Sequence, residues 1–334
     1  MSEKTRKKTL GFFTRLLEDV SPQERYTSAL EQIDAAERLG FHSAWVAQHH
    51  FHENEGGLPS PLVLLSAAAE RTARIHLATG VITLPMEDPV RVAEDAAVVD
   101  ALSGGRLQIG LGSGGNPRSF PAFGRSFEDR GEIFASHLET LETLWRGGEI
   151  DGGNRLYPAA PGLLDRLWQA SFGSFGAGIA GSRGDGLMLS RTQPRPGRTD
   201  APLSEIQVPV VETYLAELPQ GTAPRVMASR TAIAVDKENR SDLVRRTAEK
   251  LRRGEADRLV GYDTSGLSDE ELLIATDTYL GTPDEIVARL RDDVVVRDYA
   301  TQVAFQVHSA PATHKETLRS LELLATEVAP ALGI

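Results

Sequence analysis

An α/β fold, a (β/α)8 TIM barrel in which eight parallel strands are each followed by a helix, is what the 334-residue sequence predicts, on three observations. Eight short runs rich in β-branched, aromatic or small apolar residues alternate with stretches of helical periodicity along the whole chain. The runs stop abruptly at polar, His-rich or Gly-rich residues, and barrels carry their chemistry at the carboxyl ends of their strands. No break in composition marks a second domain, so residues 1–334 read as one barrel whose long connections cover its mouth. An open doubly wound sheet is the rival arrangement for the same strand count.

The elements follow in order. TLGFF, Thr9–Phe13, reads as the first strand. Ser21 and Pro22 open the first helix and Gly40 ends it, with Tyr26, Ala29, Leu30, Ile33, Ala36 and Leu39 on one face. Ser43–Ala47 is the second strand, Ser60–Thr72 the second helix, Ile75–Leu84 the third strand and Pro89–Leu102 the third helix. Leu107–Leu111 and Phe127–Trp145 form the fourth pair. Leu167–Ser171 is strand five, with a helix from near Ser174, and Gly186–Ser190 is strand six. A Pro/Arg-rich loop then leads to a helix over Val208–Leu218. Val226–Val235 is strand seven and Asp242–Gly254 its helix, before an irregular, polar segment over Glu255–Leu280. Thr282–Pro283–Asp284 caps another helix, Thr301–Val307 is strand eight, and Lys315–Leu332 is the last helix.

Composition removes several function classes. Net charge is −11, which argues against a nucleic-acid partner. There is no cysteine, so thiolate chemistry and disulfides are excluded. The opening MSEKTRKKTL is basic with no apolar run behind it, and nothing approaches the ~18 apolar residues of a membrane span. The expectation is a cytoplasmic protein with no membrane partner.

Three strand ends point to one pocket: Gln48–His52, Thr79–Leu84 and Gly110–Gly115. The run Gly110–Gly115 matches G-x-G-x-x-G, but the NPRSFP that follows does not start the helix a dinucleotide site needs. It reads either as a plain loop or as a strand end stripped of side chains for a planar ligand. His50 and His52 share one face of an extended segment and His49 the other. A metal pair would need further ligands, and no histidine lies between His137 and His308; acid–base work or a structural role are the other readings. After strand five, Ser171, Ser174 and the glycines leave a helix N-terminus suited to an anion or an ordinary serine cap, with Arg166 and Arg191 flanking it. Arg106, Asp95 and Asp100 read as ion-pairing groups, and His42, His76 and His137 as structural.

The stretches AWVAQHHF, LATGVITLPMEDPVRVAEDAAVVDALSGGRLQIGLGSG, RGDGLMLSR and YLGTPDEIVARL together resemble the bacterial luciferase-like flavin-dependent monooxygenases. The resemblance implies a barrel that binds reduced FMN as co-substrate and activates O2 on it to oxidise a small-molecule substrate. It places the catalytic histidine at His49. It places a non-prolyl cis peptide at Gly80–Val81, beside Thr79, against the flavin ring, with Gly112 and Ser113 at the end of strand four. It puts the FMN phosphate at Gly173–Ser174–Phe175–Gly176, a mobile lid over about 255–280, and a homodimer interface on helices two and three. A separate flavin reductase is implied as partner. Deazaflavin-dependent dehydrogenation on the same barrel, or flavin binding without catalysis, are the alternatives it leaves open. The chain departs from the family's luciferases at Gln48, where they have Glu, at Gly112, where they have a reactive cysteine, and at Ser113, where they have an arginine. Light emission and long-chain aldehyde use therefore do not follow from the resemblance.

Overall fold

The computed structural model describes residues 8–193, 195, 201–253, 256–307 and 311–334. The opening basic cluster, the middle of the Pro/Arg-rich loop, residues 254–255 and His308 lie outside the described residues. Ten parallel-paired strands appear among the described residues: β1 (Thr9–Thr14), β2 (Ser43–Val46), β3 (His76–Thr79), β4 (Ile82–Thr83), β5 (Leu107–Gly112), β6 (Leu167–Ala170), β7 (Gly186–Leu189), β8 (Val226–Ala234), β9 (Thr278–Gly281) and β10 (Gln302–Gln306). Eight of them close a ring in the order β1, β2, β3, β5, β6, β7, β8, β10, with β10 pairing back onto β1. This is the (β/α)8 barrel, and all eight expected strands are in it.

Helices α1 (Pro22–Arg38), α2 (Pro61–Arg71), α3 (Pro89–Leu102), α4 (Arg130–Trp145), α5 (Ser174–Arg183), α6 (Leu203–Glu217) and α7 (Arg240–Arg252) follow their strands. Then come two short helices, α8 (Ala256–Val260) and α9 (Asp269–Ala275), and α10 (Pro283–Arg291), α11 (His314–Leu323) and α12 (Ala329–Leu332). Local chemistry sets the boundaries. Ser21 and Glu24 form a capping box at α1, Asp88 accepts from Val90 N and Arg91 N at α3, and Thr282 with Glu285 caps α10.

Four boundaries differ from the sequence expectation. The third strand is not continuous over Ile75–Leu84: it breaks at a cis Gly80–Val81 peptide and resumes as β4. The segment after α7 is not irregular, since it holds α8, α9 and β9. The nine-residue β8 pairs with β10 through Gln306↔Thr231 and still offers Thr231–Ala234 to β9. α6 begins five residues before Val208 and keeps Pro209 inside it, at the loss of that residue's amide hydrogen bond. The last helix is divided by a π-turn at Leu324–Val328.

Two cores result. One lies between strands and helices and holds most of the buried aliphatic residues. The other fills the barrel itself with Phe13, Trp45, Ala47, Ala78, Trp168, Met188, Met227 and Ala304. Trp45 and Trp168 meet edge to face at 5.5 Å, and each indole N–H is satisfied, by Ser43 Oγ at 2.8 Å and Gln108 Oε1 at 2.7 Å. Burying each such aromatic contributes about 2 kcal/mol or more, so this plug holds the floor above it rigid.

Candidate active site

Strand alternation decides what lies on that plug. Toward the carboxyl ends of the strands, the positions in the inward phase are Ala47, Gly80, Gly112, Ala170, Ser190, Thr231 and Gln306. Large apolar residues in the barrel thus give way to small and polar ones at the carboxyl ends of the strands.

Glycine is required on this floor by close approach. A β-carbon on Gly112 would come 2.8 Å from Val81 Cγ2, and one on Gly110 would come 2.2 Å from Thr79 O. The Gly80–Val81 peptide is cis, as the resemblance implies, and Val81 Cγ2 lies against Gly112. Thr79, expected at the cofactor, is fully buried and turned toward β5. Its hydroxyl accepts from Gly110 N and donates to Gly110 O, both at 2.9 Å, and so bridges the ladder where β3 breaks off. Ser113 is half-buried at the end of β5.

The loop after β2 supplies the titratable group. His49 N–H donates to Leu58 O at 2.9 Å, and Gly56 lies against the imidazole so closely that a β-carbon there would be 2.2 Å from Cδ2. Burial first, then the Arg15 and Arg191 guanidinium groups and His50, lower the His49 pKa to about 3. The ring is therefore neutral at physiological pH. Arg15 follows β1 and Arg191 follows β7 at the same end of the barrel, so three strand ends converge on this histidine.

Gln48 does different work. Its Nε2 donates to Pro59 O at 3.1 Å and to Glu87 Oε1 at 2.6 Å, and its Oε1 accepts from Thr83 N at 2.7 Å. It fastens the end of β2 to β4. A Glu at this position could not donate to Glu87, whose own carboxyl is pushed up by burial. His50 turns away from His49 into an aromatic rim, edge-on to Phe123 at 4.8 Å and 5.9 Å from the exposed Phe51.

Across the mouth, the exposed turn after β6 leads into α5. Its N-cap is Gly173, and among the described residues no side chain bonds the first helical N–H groups, so the serine cap foreseen as the ordinary alternative is not what opens this helix. Ser174 Oγ instead reaches Pro209 O at 3.4 Å, and Ser171 Oγ donates to Gly173 O at 2.8 Å. The N–H groups of Ser174, Phe175 and Gly176 face outward at the positive end of the helix. Gly176 has no room for a β-carbon, which would fall 2.6 Å from Ser171 Oγ.

Other candidates fall elsewhere. Arg166 does not reach this turn; it pairs with Asp100 at 2.6 Å and with Leu107 O at the opposite, amino-terminal end of β5. Arg106 forms no ion pair among the described residues; it donates to Ala69 O, Thr72 O and Ile75 O, closing the end of α2. His42 and His76 face each other at 4.6 Å at the amino-terminal end, and His137 bonds Leu84 O at 3.1 Å. The sequence reading missed Arg15, Gly56 and Gln306. An arginine directly after a barrel strand and a Gly-Gly pair after the histidines were the available signals.

The family model described as luciferase-like monooxygenase matches residues 10–301. A 4-hydroxyprotoasukamycin monooxygenase of Streptomyces nodosus subsp. asukaensis is 31% identical over 179 residues, 50% of this chain and 48% of that protein. The oxygenase component of a flavin-dependent trigonelline monooxygenase of Acinetobacter baylyi is 27% identical over 40% of this chain and 37% of its own. The chain thus spans about half or less of these curated relatives. Among solved structures, the oxygenating constituent of 3,6-diketocamphane monooxygenase of Pseudomonas putida, in complex with FMN, superposes with a TM-score of 0.76 at 19% identity, covering 97% of this chain and 98% of that one. An F420-dependent secondary alcohol dehydrogenase superposes with a TM-score of 0.69 at 19% identity, covering 98% and 99%. At these identities the superpositions establish the fold, while the match over residues 10–301 establishes the family: the chain belongs to the luciferase-like monooxygenases.

Proposed function

We propose that the protein is the oxygenase of a two-component system, taking reduced FMN from a separate reductase and O2 to oxygenate a small organic substrate. The observation that carries this is the floor at the barrel mouth, where Gly80, Gly112 and Ala170 carry little or no side chain and Val81 lies against Gly112. Gly80, Val81, Gly112 and Ser113 would hold the ring system, with Thr79 keeping the floor in place. The uncapped N–H groups of Ser174, Phe175 and Gly176 after Gly173 would take the phosphate. Bound reduced flavin supplies two electrons, so that one oxygen atom of O2 enters the substrate and the other leaves as water. His49 is neutral and still partly exposed, so it can accept or donate a proton at the mouth, which supports a catalytic role over mere flavin binding. The relative named as an oxygenase component supports a reductase partner. Exposed Val63 on α2 and Val98 and Leu102 on α3 support a homodimer through these helices.

The test is incubation with FMN, NADH, a flavin reductase and ¹⁸O2 against a panel of small organic compounds. One ¹⁸O in a product, dependent on every component and lost in His49→Ala, is expected. Oxidation of a substrate without ¹⁸O, supported by oxidised F420, would identify a dehydrogenase instead.

A further inference from the structure

We propose that the substrate carries an anionic group, a carboxylate or its equivalent, that docks at the barrel mouth between Arg15 and Arg191 beside His49. The proposal deepens the oxygenase reading and rests on it for the word substrate, but its geometry is independent of the flavin.

Three nitrogen-bearing side chains converge there. Arg15, directly after β1, donates from Nη2 to Glu55 O in the loop after β2, and its charge is felt at His49. Arg191, just past β7, reaches the inward Thr231 of β8, Nη1 to Oγ1 at 3.5 Å. Gln306 is opposite Thr231 in the β8–β10 register and opposite Phe13 in the β1–β10 register. Gln306 is 2% exposed, and its Nε2 has no hydrogen-bond partner among the described residues. A buried N–H without an acceptor is costly, and a ligand oxygen is the group that would satisfy it. Guanidinium groups in turn match a carboxylate in geometry as well as charge.

The same arrangement gives the anion a chemical purpose. Burial, then the two arginines, make His49 a poor base, with a pKa of about 3. A carboxylate placed between the arginines offsets their field and raises the imidazole's pKa, while the lowering due to burial remains. Proton transfer by His49 is then coupled to the presence of substrate. Phe51, Phe123 and the exposed Phe172 at the rim suit an aromatic or apolar body attached to that carboxylate.

The competing source of negative charge is the flavin phosphate, and the test separates the two. Protein labelled with ¹⁵N-histidine, with His49 assigned through His49→Gln, is titrated with benzoate and with the uncharged benzamide, with and without FMN. FMN and riboflavin affinities are measured in parallel on wild type, Arg15→Met and Arg191→Met, with the lysine variants as folded, charged controls. We expect benzoate to bind at least about tenfold tighter than benzamide, to raise the His49 pKa, and to be lost in the methionine variants but partly kept in the lysine ones. FMN should remain preferred over riboflavin in all variants. Benzamide binding as well as benzoate, no benzoate binding, or loss of the FMN preference in the methionine variants would overturn the proposal, the last assigning the arginines to the cofactor. If wild type binds benzoate but no FMN, the anion pocket stands and the flavin reading fails.

Discussion

Gly56 lies flat against the ring of His49, with room for a hydrogen and nothing larger: a β-carbon would be 2.2 Å from Cδ2 and 2.7 Å from Cγ. The position of the proposed catalytic imidazole is thus set by a residue with no functional group. Gly56→Ala must push the ring aside, and a displacement of about 1 Å can cost on the order of 100-fold in rate. The expected outcome is a kcat lowered ~10- to 100-fold with a small change in thermal stability. Unchanged kcat would show that His49 is not held by this contact.

Val81 and Gly112 form the second tight pair. Gly112→Ala should drive Val81 out of position and weaken FMN binding about tenfold, the equivalent of a 1–2 kcal/mol overpacking penalty. Val81→Ala should restore most of that loss in the double variant, since it removes the methyl group that clashes. FMN titrations of the two single variants and the double variant give the coupling directly; additive losses would contradict contact through this pair.

These two pairs also show how much the sequence revealed. The eight strands were legible because each is a short apolar run closed by a turn signal, and the helix starts because Ser21, Pro61, Pro89 and Thr282 cap or open them visibly. The cis peptide at Gly80–Val81 followed from resemblance to a family, not from periodicity. β9 was hidden because its four residues, Thr278–Gly281, carry little alternation and are recognisable only from the free length of β8. Arg15 and Gln306 come to His49 and Thr231 only once the ring closes, and Gly56 reaches His49 through the fold of a single loop, so the arginine after a strand and the Gly-Gly pair were visible but not what they touch.

The pH dependence of stability follows from the buried histidines. His49 has a folded pKa of about 3 against 6.5 unfolded, so between these values the unfolded chain binds the extra proton. Stability is full above ~6.5 and falls as pH drops toward 3. Burial lowers His42, His50 and His76 as well, adding to the same direction. Urea melts from pH 7 to 4 should show a slope shallower in His49→Gln by up to one proton, about 1.4 kcal/mol per pH unit. Equal slopes would mean that His49 titrates normally in the folded protein.

Arg230 on β8 and Asp293 after α10 are both fully buried and joined by two bonds, Nε to Oδ2 at 2.7 Å and Nη2 to Oδ1 at 3.2 Å. Val296 N and Tyr279 Oη also donate to Asp293, at 2.9 and 3.3 Å. Arg230→Met leaves a buried carboxylate without its partner and should cost on the order of 3–5 kcal/mol. Arg230→Met with Asp293→Leu should recover part of that, because no charge is then stranded. Denaturant melts of both variants would settle it, and a single variant as stable as wild type would show the pair to be dispensable.

The most direct test of the central claim is an anaerobic titration of the protein with reduced FMN and, separately, with reduced F420, repeated on Gly112→Leu. The account predicts that reduced FMN binds more tightly than reduced F420, that the Gly112→Leu floor no longer accepts it, and that admitting O2 reoxidises the bound flavin. Preference for reduced F420, or FMN binding indifferent to a leucine at 112, would contradict it.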